Sequence, residues 1–223
     1  MDSASWLQAT LGYSFNNPDL LEQALTHRSA GAHNNERLEF LGDAVLDFVV
    51  SAAVYEARNR ADEGDLSRLR ASLVRDKSLA SLARGLGIGE QLRLGPGERK
   101  SGGHRRDSIV ADALEALFGA IYLDSGFDAA RDAILKVYAE RLADLPDADS
   151  LRDPKTRLQE WLQARRRALP DYDLLKVSGE AHNQTFEVAC RVDGEPTTTA
   201  KGSSRRSAEQ TAARAMLEQL ESA

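Results

Sequence analysis

The sequence predicts an all-α N-terminal domain followed by a small α+β domain of order α-β-β-β-α. Three observations carry this. Apolar residues recur with helical period up to about residue 142, with no alternating β-branched run among them. A Pro- and Asp-containing stretch, Leu145 to Ser150, then has linker composition. Beyond it Phe186, Val188, Cys190 and Val192 alternate with Thr185, Glu187, Ala189 and Arg191, as a half-buried strand requires, and Asp193-Gly194 marks a turn.

Taken in order, helical periodicity covers Leu20–Thr26, Leu38–Tyr55, Leu66–Leu86, Ile109–Leu123 and Ala129–Leu142. Asn16-Asn17-Pro18, Gly31 and Gly64 punctuate these segments. Gly85 to Gly103, with Gly95-Pro96-Gly97 inside it, reads as loop, and Asp107-Ser108 offers a cap to the helix that follows. Asp153-Pro154 offers another helix start. The domains are therefore expected at 1–144 and 154–223, with a flexible linker at 145–153. In the second, Thr156–Arg166 is amphipathic, Tyr172–Ser178, Thr185–Val192 and Thr197–Lys201 read as strands, and Ser204–Leu220 as a helix. Ala208, Ala212 and Ala215 form a small-residue stripe suited to packing on the sheet.

The chain has 223 residues, 42% hydrophobic and 29% charged, as expected of a soluble globular protein. No apolar run is long enough for a membrane span, and the start lacks a basic segment followed by an apolar one. One cysteine, Cys190, excludes an intramolecular disulfide and points to a reducing cytoplasm. The net charge of -6 is unevenly spread. Residues 1–150 carry 17 Lys and Arg against 24 Asp and Glu, while residues 151–223 carry 12 against 11. Local Arg clusters can still attract a polyanion, so charge alone leaves the partner open.

Glu36, Glu39 and Asp43 fall within an arc of about 60° on one helix. Apolar residues flank that arc on both sides, Phe40, Leu46 and Val50 among them, which predicts a buried helix. Buried carboxylates need compensation, and cations are its obvious source. Asp112 and Glu115 share a face of a second helix, beside the small Ala116 and Gly119. Facing one another, the two helices would make an all-oxygen site suited to Mg²⁺ or Mn²⁺. The competing readings are a solvated acidic face, or structural ion pairs in which Arg37, Arg68 and Arg70 neutralise the carboxylates. A di-iron bundle is excluded, because the spacings are Glu36-x-x-Glu39 and Asp112-x-x-Glu115 with no Glu-x-x-His.

The run Asn35-Glu36-Arg37-Leu38-Glu39-Phe40-Leu41-Gly42-Asp43 resembles the ribonuclease III signature over its full length. Asp62-Glu63-Gly64-Asp65-Leu66-Ser67 and Ala111-Asp112-Ala113-Leu114-Glu115-Ala116-Leu117 resemble that family's other acidic motifs, in order. The resemblance implies a helical endonuclease domain that dimerises through the signature helix. It implies metal ligation by Glu39, Asp112 and Glu115, catalytic roles for Asp43 and Glu115, and supporting roles for Glu36 and Glu63. It also implies hydrolysis of double-stranded RNA by water activated at Mg²⁺ (Mn²⁺ substituting), leaving 5′-phosphate and 3′-hydroxyl ends, with ribosomal RNA precursors and some messenger RNAs as substrates.

Residues 154–221 resemble a double-stranded RNA-binding domain. Thr156, Gln159 and Glu160 share one face of its first helix and suit 2′-hydroxyls in the shallow minor groove. His182, in the loop from Gly179 to Asn183, would give a second minor-groove contact. Ser203, Ser204, Arg205 and Arg206 open the last helix, where backbone N–H groups and guanidinium groups would grip phosphates. Ser207 departs from the pattern, since the family often has a basic residue there. The run Arg165–Arg167 reads equally as phosphate contacts or as a favourable helix end. The basic stretch Arg99–Arg106 is expected to touch RNA phosphates or to remain a solvated loop. A protein that holds double-stranded RNA without cutting it and a Mg²⁺-dependent phosphohydrolase of small molecules are the competing functions. Occupied acidic positions argue against the first, and the appended RNA-binding module against the second.

Overall fold

The computed structural model describes residues 2–180 and 183–222. The chain divides into two compact units, Met1–Leu151 and Arg152–Ala223.

The first unit is helical. Helix α1 (Ser3–Leu11) is capped by Asp2, whose carboxylate accepts from the Ser5 N–H at 2.9 Å, and ends at Gly12 with φ 70°. The periodicity reading misses α1, because its buried residues Trp6, Leu7 and Leu11 make too short a stripe. It is anchored by the Trp6 indole, which donates to the Leu86 carbonyl at 2.8 Å. Asn17 caps α2 (Pro18–Ala24), and α3 spans Glu36–Ala57. The single helix expected over Leu66–Leu86 is two, α4 (Glu63–Val74) and α5 (Asp76–Gly85), separated where Arg75 turns extended at ψ 149°. Apolar periodicity runs on across that corner because both helices face the same core. The stretch expected as loop holds two short helices, α6 (Ile88–Gln91) and α7 (Pro96–Lys100), and a 3-10 turn at Gly103–Arg105.

Helix α8 (Asp107–Ala143) is interrupted at Gly126, whose φ of 82° is open to glycine at little cost. Its start is not capped as expected. Asp107 lies inside the first turn and pairs with Arg84, while Arg106 occupies the cap position.

The core lies where α3 crosses α8 and around it, with Leu46, Val50, Leu114, Leu117, Phe118, Ile121 and Tyr138 buried. The crossing is backbone on backbone. A Cβ at Gly42 would overlap the Glu115 carbonyl, and one at Gly119 would overlap that of Leu38. Helix α3 is not buried all round, contrary to its composition. Phe40 is 81% exposed, Phe48 63% and Tyr55 70%, and Phe48 lies edge-to-face with Phe127 at a 5.5 Å centroid separation. Within the segment of linker composition, Leu145 is buried and Ala148 and Leu151 pack on the same core.

The second unit runs α9 (Pro154–Ala164), β1 (Asp171–Ser178), β2 (Thr185–Arg191), β3 (Thr198–Gly202) and α10 (Arg205–Glu221). The strands form an antiparallel sheet in that order, with Tyr172 opposite Cys190 and Val188 opposite Ala200. Leu158, Leu162, Cys190, Ala212, Met216 and Leu217 make its core. Ala208 and Ala212 are buried as the stripe predicts, and Ala213 is buried in place of the half-exposed Ala215.

Candidate metal centre and nucleic-acid interface

The glycine contact between α3 and α8 brings their acidic faces together. One carboxylate oxygen each from Glu39, Asp112 and Glu115 lies within 4.8 Å of the other two. All three side chains are half-buried, and no ion pair among the described residues engages them. Burial raises the pKa of each. Asp112, Glu36 and Asp43 add to the effect on Glu39, and Asp76 adds to that on Asp112. Glu115 is pushed up to about 8, first by desolvation and then by Asp43, Asp112, Glu39 and Asp76. Arg28 opposes the rise at Glu39 and Asp112, but its nearest partner is Glu36 at 3.5 Å.

An unpaired, desolvated set of carboxylates fits a hard divalent cation. Asp43 is exposed beside the trio, close enough to raise Glu115, and is itself raised by desolvation and by Asp47. Glu36 stands exposed at the rim. Glu63 stands elsewhere. It opens α4, accepts from the Ser67 hydroxyl at 2.9 Å, and lines a recess with Ser51, Tyr55 and Arg70.

Two residues near the trio escape the sequence reading. Asp76 sits at the start of α5, and nothing in its local pattern marks it because its partners are on other helices. Asn35 precedes α3 yet does not cap it. Its side chain is buried, its Nδ2 has no hydrogen-bond partner, and it lines the recess that holds Glu39, Asp112, Arg28, Arg106 and Ser108. The basic stretch beside this recess is partly ordered, with Arg106 paired to Glu98 at 2.9 Å.

In the second unit Thr156, Gln159 and Glu160 are exposed on α9, with Glu160 paired to Arg152. Ser203, Ser204, Arg205 and Arg206 are exposed at the start of α10, where the Ser204 hydroxyl caps the helix by accepting from the Ser207 N–H at 3.1 Å. Arg206 is 82% exposed and makes only a long ion pair with Asp153 at 4.0 Å among the described residues, whereas the Arg205 Nε bonds Glu209 at 2.8 Å. His182 lies outside the described residues. Within the Arg165–Arg167 run, Arg165 stacks on Trp161 at 3.8 Å and Arg167 pairs with Glu195 at 2.8 Å, which makes local pairing the better account of these two. Lys155, which sequence reasoning passed over, bonds Glu209 at 2.6 Å.

Comparison with known proteins agrees with both halves. A family described as Ribonuclease-III-like matches residues 17–142, and the double-stranded RNA binding motif matches residues 154–220. "Ribonuclease 3" of Alkalilimnicola ehrlichii is 59% identical over 96% of this chain and 95% of its own. That of Vibrio cholerae is 55% identical over 96% of each. Among solved structures, the nuclease domain of ribonuclease III from Campylobacter jejuni aligns with a TM-score of 0.61 and 44% identity, covering 62% of this chain and 97% of that one. Its description refers to a region involved in dimer formation. With a family match over more than half of the chain and relatives of this identity along nearly all of it, the chain belongs to the ribonuclease III family.

Proposed function

We propose that Glu39, Asp112 and Glu115 hold Mg²⁺, with Mn²⁺ able to substitute, and that Asp43 completes the acidic cluster during cleavage of double-stranded RNA. The chain is an endoribonuclease of double-stranded RNA. The observation that carries the metal assignment is the convergence of three half-buried carboxylates, all with raised pKa values, that no ion pair among the described residues engages. A divalent ion there would offset charge on the phosphoryl oxygens and lower the pKa of an attacking water.

The chain's own residues do the rest. Glu115 carries a proton at neutral pH in the metal-free site and must release it to become a ligand. Asp43, exposed beside the trio, is placed to orient a water on the solvent side. Arg28 and Arg106 line the adjoining recess and can meet backbone phosphates, the first from its bond with Glu36 and the second from its bond with Glu98. Products with 5′-phosphate and 3′-hydroxyl ends follow if water attacks the phosphorus and the 3′-oxygen leaves.

Residues 1–144 serve catalysis and dimerisation in this reading, 154–223 bind the duplex, and 145–153 join them. The bare rings Phe40, Phe48 and Tyr55, three large apolar side chains exposed on the one helix α3, support a homodimer, because apolar surface left bare in this way is a mark of an interface. Glu36 and Glu63 then have supporting roles beside the RNA, and Thr156, Gln159, Glu160, His182, Ser203, Ser204, Arg205 and Arg206 contact it. The cytoplasm, with ribosomal RNA precursors and other structured transcripts as substrates, is the setting this activity suits. Among the described residues no helix is long and apolar enough to cross a membrane.

The test is cleavage of a long double-stranded RNA with Mg²⁺, beside a Ca²⁺ control and the Glu115→Ala variant. Fragments with 5′-phosphates, lost in both controls while binding survives, support the reading. Binding without cleavage under every divalent ion would replace it with an RNA-holding protein.

A further inference from the structure

The start of α10 carries side chains assigned above to phosphates, and the structure shows what holds one of them. Glu209 lies one turn further along α10 and is only 9% exposed. Its Oε1 accepts from Arg205 Nε at 2.8 Å, and its Oε2 accepts from Lys155 Nζ at 2.6 Å. Lys155 belongs to the first turn of α9, and its ammonium also sits 4.3 Å from the centre of the Tyr172 ring. Beside this bridge runs a second. One oxygen of Asp153 accepts from the backbone N–H groups of Lys155 and Thr156, and the other accepts from the Gln210 amide at 2.7 Å. Two carboxylates thus lace the N-terminal turns of α9 and α10 together.

A carboxylate is an awkward residue to keep here. A negative charge beside a phosphate-facing surface repels RNA. Burial alone would raise its pKa, but the bonds from Lys155 and Arg205 outweigh that and keep Glu209 ionised, below the ordinary carboxylate range. Arg205 spends its Nε on the bond, and among the described residues no hydrogen bond or ion pair takes its two terminal nitrogens. An A-form duplex presents its minor groove and flanking phosphates at fixed separation. A protein surface already held at that separation loses less freedom on binding.

We propose that Glu209 is a positioning residue for double-stranded RNA, fixing the gap between the groove-facing side of α9 and the phosphate-gripping start of α10 and aiming Arg205 outward. This rests on the reading of those two helix starts as the RNA-contacting surface.

The experiment is binding of the full-length chain to double-stranded RNA without divalent metal, so that no cleavage proceeds, as a function of salt. Glu209→Gln is compared with wild type, with Arg205→Gln and with the double variant. If Glu209 acted only through its charge, its neutralisation would tighten binding. Positioning predicts the opposite sign, a weakening of about five- to tenfold at physiological salt, with the slope of log K against log salt shallower by about 0.9. It also predicts that Glu209→Gln costs less once Arg205 is already Gln, because the part of the loss that comes from aiming Arg205 is then already taken. The side chains of Lys155 and Arg205 are 35% and 57% exposed, so both stay hydrated after the substitution, and thermal unfolding checks that the domain remains folded. Tighter or unchanged binding, or a loss that adds fully to that of Arg205→Gln, overturns the inference. Wild-type chain that binds no duplex would sink the surface assignment itself, a result distinguishable from all of these.

Discussion

The two units handle buried carboxylates in opposite ways. In the helical unit the half-buried Glu39, Asp112 and Glu115 and the more exposed Asp43 crowd one another, no ion pair among the described residues engages them, and the pKa of each is raised. In the RNA-binding unit, Asp153 and Glu209 are also partly desolvated, yet each is surrounded by donors and its pKa is lowered. The difference lies in who supplies the compensating charge. In the second unit Lys155 and Arg205 supply it to Glu209, while Asp153 is met by the Gln210 amide, two backbone N–H groups and the more distant Arg206, so the arrangement is complete as folded. In the first the chain supplies almost none, which leaves the compensation to a bound ion.

The largest test of this contrast is Glu115→Ala. If Glu115 holds the metal as proposed, its loss should lower kcat by more than about a hundredfold, since even a supporting contact to a metal ligand is worth about 10–100-fold. Affinity for duplex RNA should survive, because the second unit's charges are balanced without the metal. A variant that cleaves normally would break the comparison at its first term.

Next in size is the dependence on pH. Glu115 has a folded pKa of about 8 against an ordinary value of 4.5, so the metal-free folded chain holds a proton that the unfolded chain has lost. Stability should therefore be greatest below about pH 4.5 as far as this group is concerned, fall as pH rises through that window, and level off above about 8. Mg²⁺ should offset the fall, and its binding at pH 7 should release about one proton per site. Calorimetric titration in buffers of different ionisation enthalpy reads that proton directly, and metal binding without proton release would contradict the raised pKa. Asp153 and Glu209 have the opposite sign, and their stabilisation should fade only as pH drops through their depressed values.

The smallest effect expected is that of Arg206→Gln. This residue is largely free, so its loss should flatten the salt slope of duplex binding by about 0.9 and leave thermal stability unchanged. A stability loss would mean that its distant contact with Asp153 matters more than its exposure indicates.

Much of the acidic site is legible in sequence because it is written in helical spacing. Glu39 with Asp43 and Asp112 with Glu115 each lie on one face, and an i, i+3 or i, i+4 pair keeps its meaning wherever the helix packs. Asp76 is not legible, because its proximity to the trio depends on how separate elements meet, whereas Asn35 stands four positions before Glu39 and only its burial without a hydrogen-bond partner is hidden from the sequence. The same limit explains α3. Its composition predicts burial all round, whereas Phe40, Phe48 and Tyr55 face outward, since sequence period cannot say which apolar residues the rest of the chain covers and which it leaves bare. The pairing of Glu209 with Lys155 spans 54 positions, and no local pattern announces it.

Gly42 and Gly119 contribute no functional group, yet they set how closely α3 and α8 approach. A substitution at one carboxylate is felt at one ligand position, whereas a methyl group at either glycine displaces all of them at once. In a random library selected for loss of cleavage, these two positions should therefore score with the acids. They would separate from the acids on a second criterion. Acid-site variants should remain folded and keep their RNA, while Gly42→Ala and Gly119→Ala, forced against a backbone carbonyl, should also melt earlier, by an amount worth about 1–3 kcal/mol or more. Tolerance to mutation around this centre would thus map the line along which two helices touch.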